Sequence, residues 1–154
     1  MSIVKDTKNA LNLGKVPANV SVYEQLIDAA APHFELEGKG LEGMVKVHAQ
    51  NLMFYDTTMQ ECRTIENTIF SRLEEIEAQL FTKYSTNRQR IMNATEIKAT
   101  IKGDPQYVAC MEILLEVQHV RRKLEAIVEA FKSMGWSLNN IVKLRVSQLD
   151  HVTL

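Results

Sequence analysis

The fold class that this chain of 154 residues predicts is all-α: an elongated antiparallel helical hairpin with short N- and C-terminal helices. Two apolar seams and a sparse supply of loop formers predict it. In the first seam Leu52, Tyr55, Met59, Cys62, Ile69, Leu73, Ile76 and Leu80 step by threes and fours, with one gap. At the gap Glu66 takes the seam position and Ile65 lies beside it. In the second, Cys110, Ile113, Val117, Val120, Leu124, Ile127, Phe131 and Met134 alternate three and four without a break. Such stripes belong to two long helices packed lengthwise on each other or on copies of themselves. With 45% hydrophobic residues, six glycines and three prolines, the chain has material for a core but little for a loop-built fold.

Taken in order, residues 1–20 mix Lys, Asn, Gly14 and Pro17 without periodicity and are expected to form a flexible or partner-ordered arm, leaving 21–154 as one helical domain. Ser21 is a candidate cap for a short helix through 31, with Tyr23, Leu26, Ile27 and Ala30 on one face and Pro32 beyond its end. Residues 34–43, with Gly38, Gly40 and Gly43, form a link. The first long helix starts between Leu41 and Met44 and runs to about Tyr84. A polar stretch at Ser85, Thr86 and Asn87 opens the connector, a short helix over 93–102 follows, and Gly103 ends it. Asp104 followed by Pro105 signals the second long helix, because the carboxylate accepts a first-turn amide and proline at the first position gives up no needed donor. Gly135 is the expected left-handed stop, with Trp136 folding back on the last turn. A final helix over 137–149 carries Leu138, Ile141, Val142, Leu144 and Val146, an apolar surface too broad for one subunit to cover, and so the expected interface for self-association.

The net charge of −1 conceals a segregation. It is −4 over residues 51–82, +4 over 83–102, −3 over 103–120 and +3 over 121–154. A connector holding five cations is a weak polyanion site alone, whereas a ring of subunits would multiply its field. Cys62 and Cys110 fall on the seams and are read as small buried apolar residues in a reducing, cytoplasmic setting. No apolar run approaches the ~20 residues of a membrane span.

No catalytic constellation, phosphate loop or Cys-x-x-Cys pair occurs, so neither an enzyme nor a cofactor is expected. His33, Glu35 and Glu37 make a poor metal set at alternate spacing in a loop. Glu74, Glu75 and Glu77 suit a solvated face paired with Arg72 or a neighbouring subunit, and His119 flanks the second seam. Arg121, Arg122 and Lys123 are explained as readily by ion pairs. The stronger candidates for binding phosphate are Lys83, Arg88, Arg90, Lys98 and Lys102, with Tyr84 as a stacking surface; the bland alternative is a solvated loop.

Several segments occur in the order found in one family: AQNLMFY at 49–55, KYS at 83–85, EIK at 96–98 followed by Gly103 and Asp104, and Lys132-Ser133-Met134-Gly135-Trp136 with Ile141 and Arg145. Across about 34–149 the chain resembles the UvsY-like recombination mediators of T-even-type bacteriophages. The resemblance implies a non-enzymatic homo-oligomeric ring that binds single-stranded DNA and helps a RecA-type recombinase displace the single-stranded-DNA-binding protein. In that family the basic DNA-binding residues precede the Tyr-Ser pair. Here residues 77–82 contain no Lys or Arg, which moves the expected site to Lys83, Arg88 and Arg90 with Lys98 and Lys102. The competing reading is a structural coiled-coil adaptor without nucleic-acid binding.

Overall fold

The computed structural model describes residues 16–35, 40–86 and 92–150. Within them every regular element is helical: α1 (Val16–Asp28), a 3-10 turn (Ala31–Phe34), α2 (Leu41–Ser85), α3 (Ala94–Lys102) and α4 (Pro105–Asp150). α2 and α4, at 45 and 46 residues, are the two long helices. None of the described helices is long and apolar enough to cross a membrane. Packing divides the described residues into two units, 16–22 with 61–121 and 23–60 with 122–150, and both long helices contribute to each.

In the first unit α2 buries Cys62, Ile65, Ile69, Leu73, Ile76 and Leu80, while α4 buries Cys110, Leu114, Val117 and Val120. Ile97 and Ile101 of α3 and Val16 of α1 are buried as well. Removing each large aliphatic side chain from water stabilises the fold by about 1.5–3 kcal/mol. The Cys62 thiol donates to the Val117 carbonyl at 3.8 Å, Arg121 Nε meets a Glu66 carboxylate oxygen at 2.6 Å, and the Tyr84 hydroxyl reaches Asp104 at 2.8 Å. Tyr84 at the end of α2 meets Asp104 at the head of α4, while Cys62 and Glu66 in mid-α2 meet Val117 and Arg121 further along α4, so the two helices run antiparallel through this unit. Burial, assisted by the charge of Glu66 and opposed by that of Arg121, pushes the Cys62 thiol up to about 11.

The second unit is organised around Phe131, which is fully buried. Its ring stacks on Phe34 at 4.4 Å and on Tyr55 at 5.4 Å between centroids, with His48 at 6.0 Å. Tyr55 also donates its hydroxyl to the Leu26 carbonyl at 3.1 Å. That carbonyl belongs to the last turn of α1, where the neighbouring Gln25 and Ile27 carbonyls are taken by the amides of Ala29 and Ala30. Tyr23, Ala30, Leu124, Val128 and Leu138 are buried in the same unit.

The seams differ from the heptad expectation in detail. Thr58 and Ile65 are buried on α2 where Met59 and Glu66 were expected, and Leu114 and Val128 on α4 in place of Ile113 and Ile127. Leu52, Met59, Ile113, Ile127 and Met134 are only half-buried. Thr58 enters the core with its hydroxyl satisfied locally, donating to the Phe54 carbonyl at 2.8 Å. α1 begins at Val16, five residues before Ser21, because Val16 is itself a core residue. The arm expected over 1–20 otherwise lies outside the described residues.

The largest correction is at Gly135, which does not stop α4. A Cβ built there would lie 2.7 Å from His48 Nε2, so the glycine admits a neighbouring ring inside a continuous helix. The separate C-terminal helix over 137–149 is therefore the last third of α4. Trp136 does not fold back on a terminated turn; it stands 74% exposed on the helix surface.

Gly135→Ala is expected to lose stability despite the roughly 1 kcal/mol that alanine normally gains over glycine in a helix. In a His48→Ala background the same change is expected to stabilise by about that amount. A denaturant double-mutant cycle measures both signs, and a stabilising Gly135→Ala in the parent chain refutes the packing role.

Candidate nucleic-acid interface

The basic connector lies in the first unit, and local chemistry fixes its two described edges. At the end of α2 the Thr86 amide, the Thr86 hydroxyl and the Ser85 hydroxyl all donate to the Thr82 carbonyl, at 3.1, 2.8 and 3.0 Å. α3 opens with a full capping box. The Asn93 side chain accepts from the Glu96 amide at 2.9 Å, and Glu96 accepts from the Asn93 amide at 3.0 Å. Buried Ile97 and Ile101 then anchor α3 by one face. Lys98 and Lys102, each one residue further on, share an adjacent stripe and are exposed.

Asp104 joins the pieces. One of its oxygens accepts from the Gln106 amide at 2.9 Å, capping α4, and the other accepts from the Tyr84 hydroxyl at 2.8 Å. The sequence signal at Asp104 and Pro105 thus marks the start of α4, as expected. The Gln106 amide, then the Tyr84 hydroxyl, hold the Asp104 carboxyl below the usual range, and the Lys83 charge adds to both. Accepting that hydrogen bond, Asp104 raises the Tyr84 hydroxyl above its ordinary value.

Lys83 occupies the last turn of α2, with Nζ 5.4 Å from the centroid of the Tyr84 ring. Lys83, Lys98 and Lys102 are exposed and enter no ion pair among the described residues. Arg88 and Arg90 lie outside the described residues. Tyr84, read as a stacking surface, is half-buried with its hydroxyl committed to Asp104. Sequence inspection missed this bond because its partners are twenty positions apart; the cap signal at Asp104 was visible, its second partner was not.

The second basic cluster is divided: Arg121 pairs with Glu66, while Arg122 and Lys123 are exposed. In the acidic group Glu75 pairs with Arg72 at 2.6 Å, and Glu74 and Glu77 face solvent. His33 meets Tyr55 edge-on at 6.3 Å, Glu37 lies outside the described residues, and no group of three metal-ligating side chains forms among those described. His119 is exposed.

Of the expected interface residues, Leu138 is a core residue of its own chain at 3% exposure, which corrects its assignment to a contact between subunits. The seam extends one step further along α4 than expected and covers it. Val142 is half-buried, whereas Ile141, Leu144 and Val146 are exposed at 37%, 63% and 53%.

No protein-family model, curated protein or solved structure matches the chain.

The Tyr84–Asp104 bond has a pH signature. Because folding lowers the Asp104 pKa, its contribution is present above the ordinary carboxylate value of about 3.9 and is lost as pH falls through the lower folded value. Tyr84→Phe is expected to lower the melting temperature at neutral pH, with the deficit shrinking toward pH ~2 as the carboxylate is protonated in the parent. A deficit that is constant from neutral pH to that limit refutes the coupling.

Proposed function

We propose that this chain is a recombination mediator of the UvsY-like kind: a homo-oligomeric ring of helical hairpins that binds single-stranded DNA and promotes loading of a RecA-type recombinase in place of single-stranded-DNA-binding protein. The observation that carries the proposal is the trio Lys83, Lys98 and Lys102, exposed and without ion-pair partners among the described residues, at the connector that follows the cation-free stretch 77–82 where the family has its DNA contacts. An acidic segment on either side sets the connector apart. The segments 51–82 and 103–120 carry −4 and −3, against +4 over 83–102.

Cations in the last turns of α2 and α3 also offset the helix dipoles, which is all that an adaptor would need of Lys83 and Lys102. Phosphate binding demands more. Each lysine that neutralises a phosphate releases counterions, so affinity falls steeply with salt. In the ring, repeated connectors hold one strand through many weak contacts, and the strand is presented to the recombinase without any covalent step. Self-association uses the exposed Ile141, Leu144 and Val146 at the end of α4.

Lys83→Ala with Lys98→Ala and Lys102→Ala is expected to weaken binding to a labelled oligothymidylate. The slope of log affinity against log salt is expected to flatten by about 0.7 for each phosphate no longer neutralised. Fluorescence anisotropy over a salt series measures both. An unchanged slope moves the site off these lysines, and no binding by the parent protein at low salt selects the adaptor.

A further inference from the structure

In the first unit, the residues immediately following the buried seam form a second row on each long helix. On α2 these are Glu66, Phe70, Glu74, Glu77 and Phe81, after Ile65, Ile69, Leu73, Ile76 and Leu80. On α4, Leu115 follows Leu114 and Arg121 follows Val120. In an antiparallel pair, rows displaced by the same turn from the two seams come out on one side. The 2.6 Å contact of Glu66 with Arg121 joins the two rows and fixes that side. Phe70 at 51% exposure, Phe81 at 37% and Leu115 at 56% therefore share one face with Glu74 and Glu77. A shallow groove lined by Glu74, Glu77, Ala78, Phe81 and Thr82 runs along it. Neither glutamate enters an ion pair among the described residues.

The end of α4 is the complement of this face. Trp136, Leu144 and Val146 are exposed at 74%, 63% and 53%. Lys143, seven residues after Trp136, stands on the same side of the helix, whereas Arg145 lies on the opposite side in line with Leu138; both are exposed and without ion-pair partners among the described residues. One chain thus carries two uncovered apolar surfaces, one acidic and one basic. Like faces would oppose like charges; unlike faces cover apolar area and pair the charges at once.

We infer that the acidic aromatic face of α2 (Phe70, Glu74, Glu77, Phe81) is the docking surface for the basic, apolar C-terminal end of α4 from a second copy of the chain. The contact is heterologous, because two different surfaces meet, and repetition of a heterologous contact builds a ring where the rotation closes. The inference rests on the self-association within the proposed function and names the receiving face that the C-terminal residues require.

Charge reversal tests it. Glu74→Lys with Glu77→Lys, and separately Lys143→Glu, are each expected to sediment as smaller species than the parent. All three positions are exposed, so helix content by circular dichroism should stay at the parent level. Mixing the two variants is expected to recover assembly, since each then offers the other an opposite charge. The triple variant is expected to recover it alone.

Parent-like assembly of Glu74→Lys with Glu77→Lys overturns the inference. Accompanied by weaker amide protection in residues 1–15, it assigns the face to the chain's own N-terminal segment instead. Failure of both the mixture and the triple variant to recover also overturns it, as does a monomeric parent. Anisotropy with labelled oligothymidylate on the same samples reads the DNA proposal separately. Assembly unaffected by charge reversal alongside salt-dependent binding refutes only the docking face, whereas recovery by mixing without any binding refutes only the DNA function.

Discussion

The register of α2 against α4 is the constraint on which the other features depend. A helix of 45 residues with an apolar stripe down one side has no stable existence in water until that stripe is covered. Within the first unit the covering is mutual, and it admits one register only. A shift by one residue on either helix would bring Glu66 toward the core and carry Arg121 away from it. The ion pair between them, at 16% and 22% side-chain exposure, follows from that register; it does not create it. The Tyr84 bond to Asp104 is a second consequence, since it needs the end of α2 to lie level with the start of α4. The basic connector thus begins and ends at fixed points, whatever lies between them.

In the second unit packing density overrides helix propensity. Glycine in a helix interior costs roughly 1 kcal/mol against alanine, and nothing local favours it at position 135. The cost is offset by the aromatic cluster. Phe131 stacks between Phe34 and Tyr55 with His48 at its edge, and the His48 ring needs the volume that a side chain at 135 would fill. Continuity of α4 through this point has a consequence for the surface. Leu138 is drawn into the core, while Trp136, Leu144 and Val146 are left exposed on the same rigid element.

The features legible in the sequence were those decided within a turn or two of helix. The heptad steps located both long helices, Asp104 with Pro105 marked a helix start, and the charge segregation located the connector. What escaped depends on partners distant in the chain. Gly135 carries the local signature of a stop, and only the position of His48, 87 residues earlier, makes it a site of close approach. A strict 3.5-residue repeat also drifts against a helix of 3.6, so the buried stripe moved from Met59 to Thr58 and from Ile127 to Val128. Thr58 enters the core because its hydroxyl bonds to the Phe54 carbonyl, a partner that is invisible until the helix is built. Arg88 and Arg90 rest on sequence alone.

On the proposed function, the charge pattern poses a difficulty that assembly resolves. A net charge of −1 gives no long-range attraction for a polyanion, and the −4 and −3 of the flanking helices would repel a strand approaching the +4 connector. Raising the number of connectors alone is not enough, because the acidic surfaces multiply with them. The inferred contact, which would set Glu74 and Glu77 against Lys143, would remove charge of both signs from the helix surfaces and leave Lys83, Lys98 and Lys102 outside it. Each added subunit would contribute connector charge with less of the opposing field. Under the proposed function, affinity for a strand would then grow with subunit number by multivalency and by this unmasking together, which would make ring formation and strand binding parts of one electrostatic arrangement.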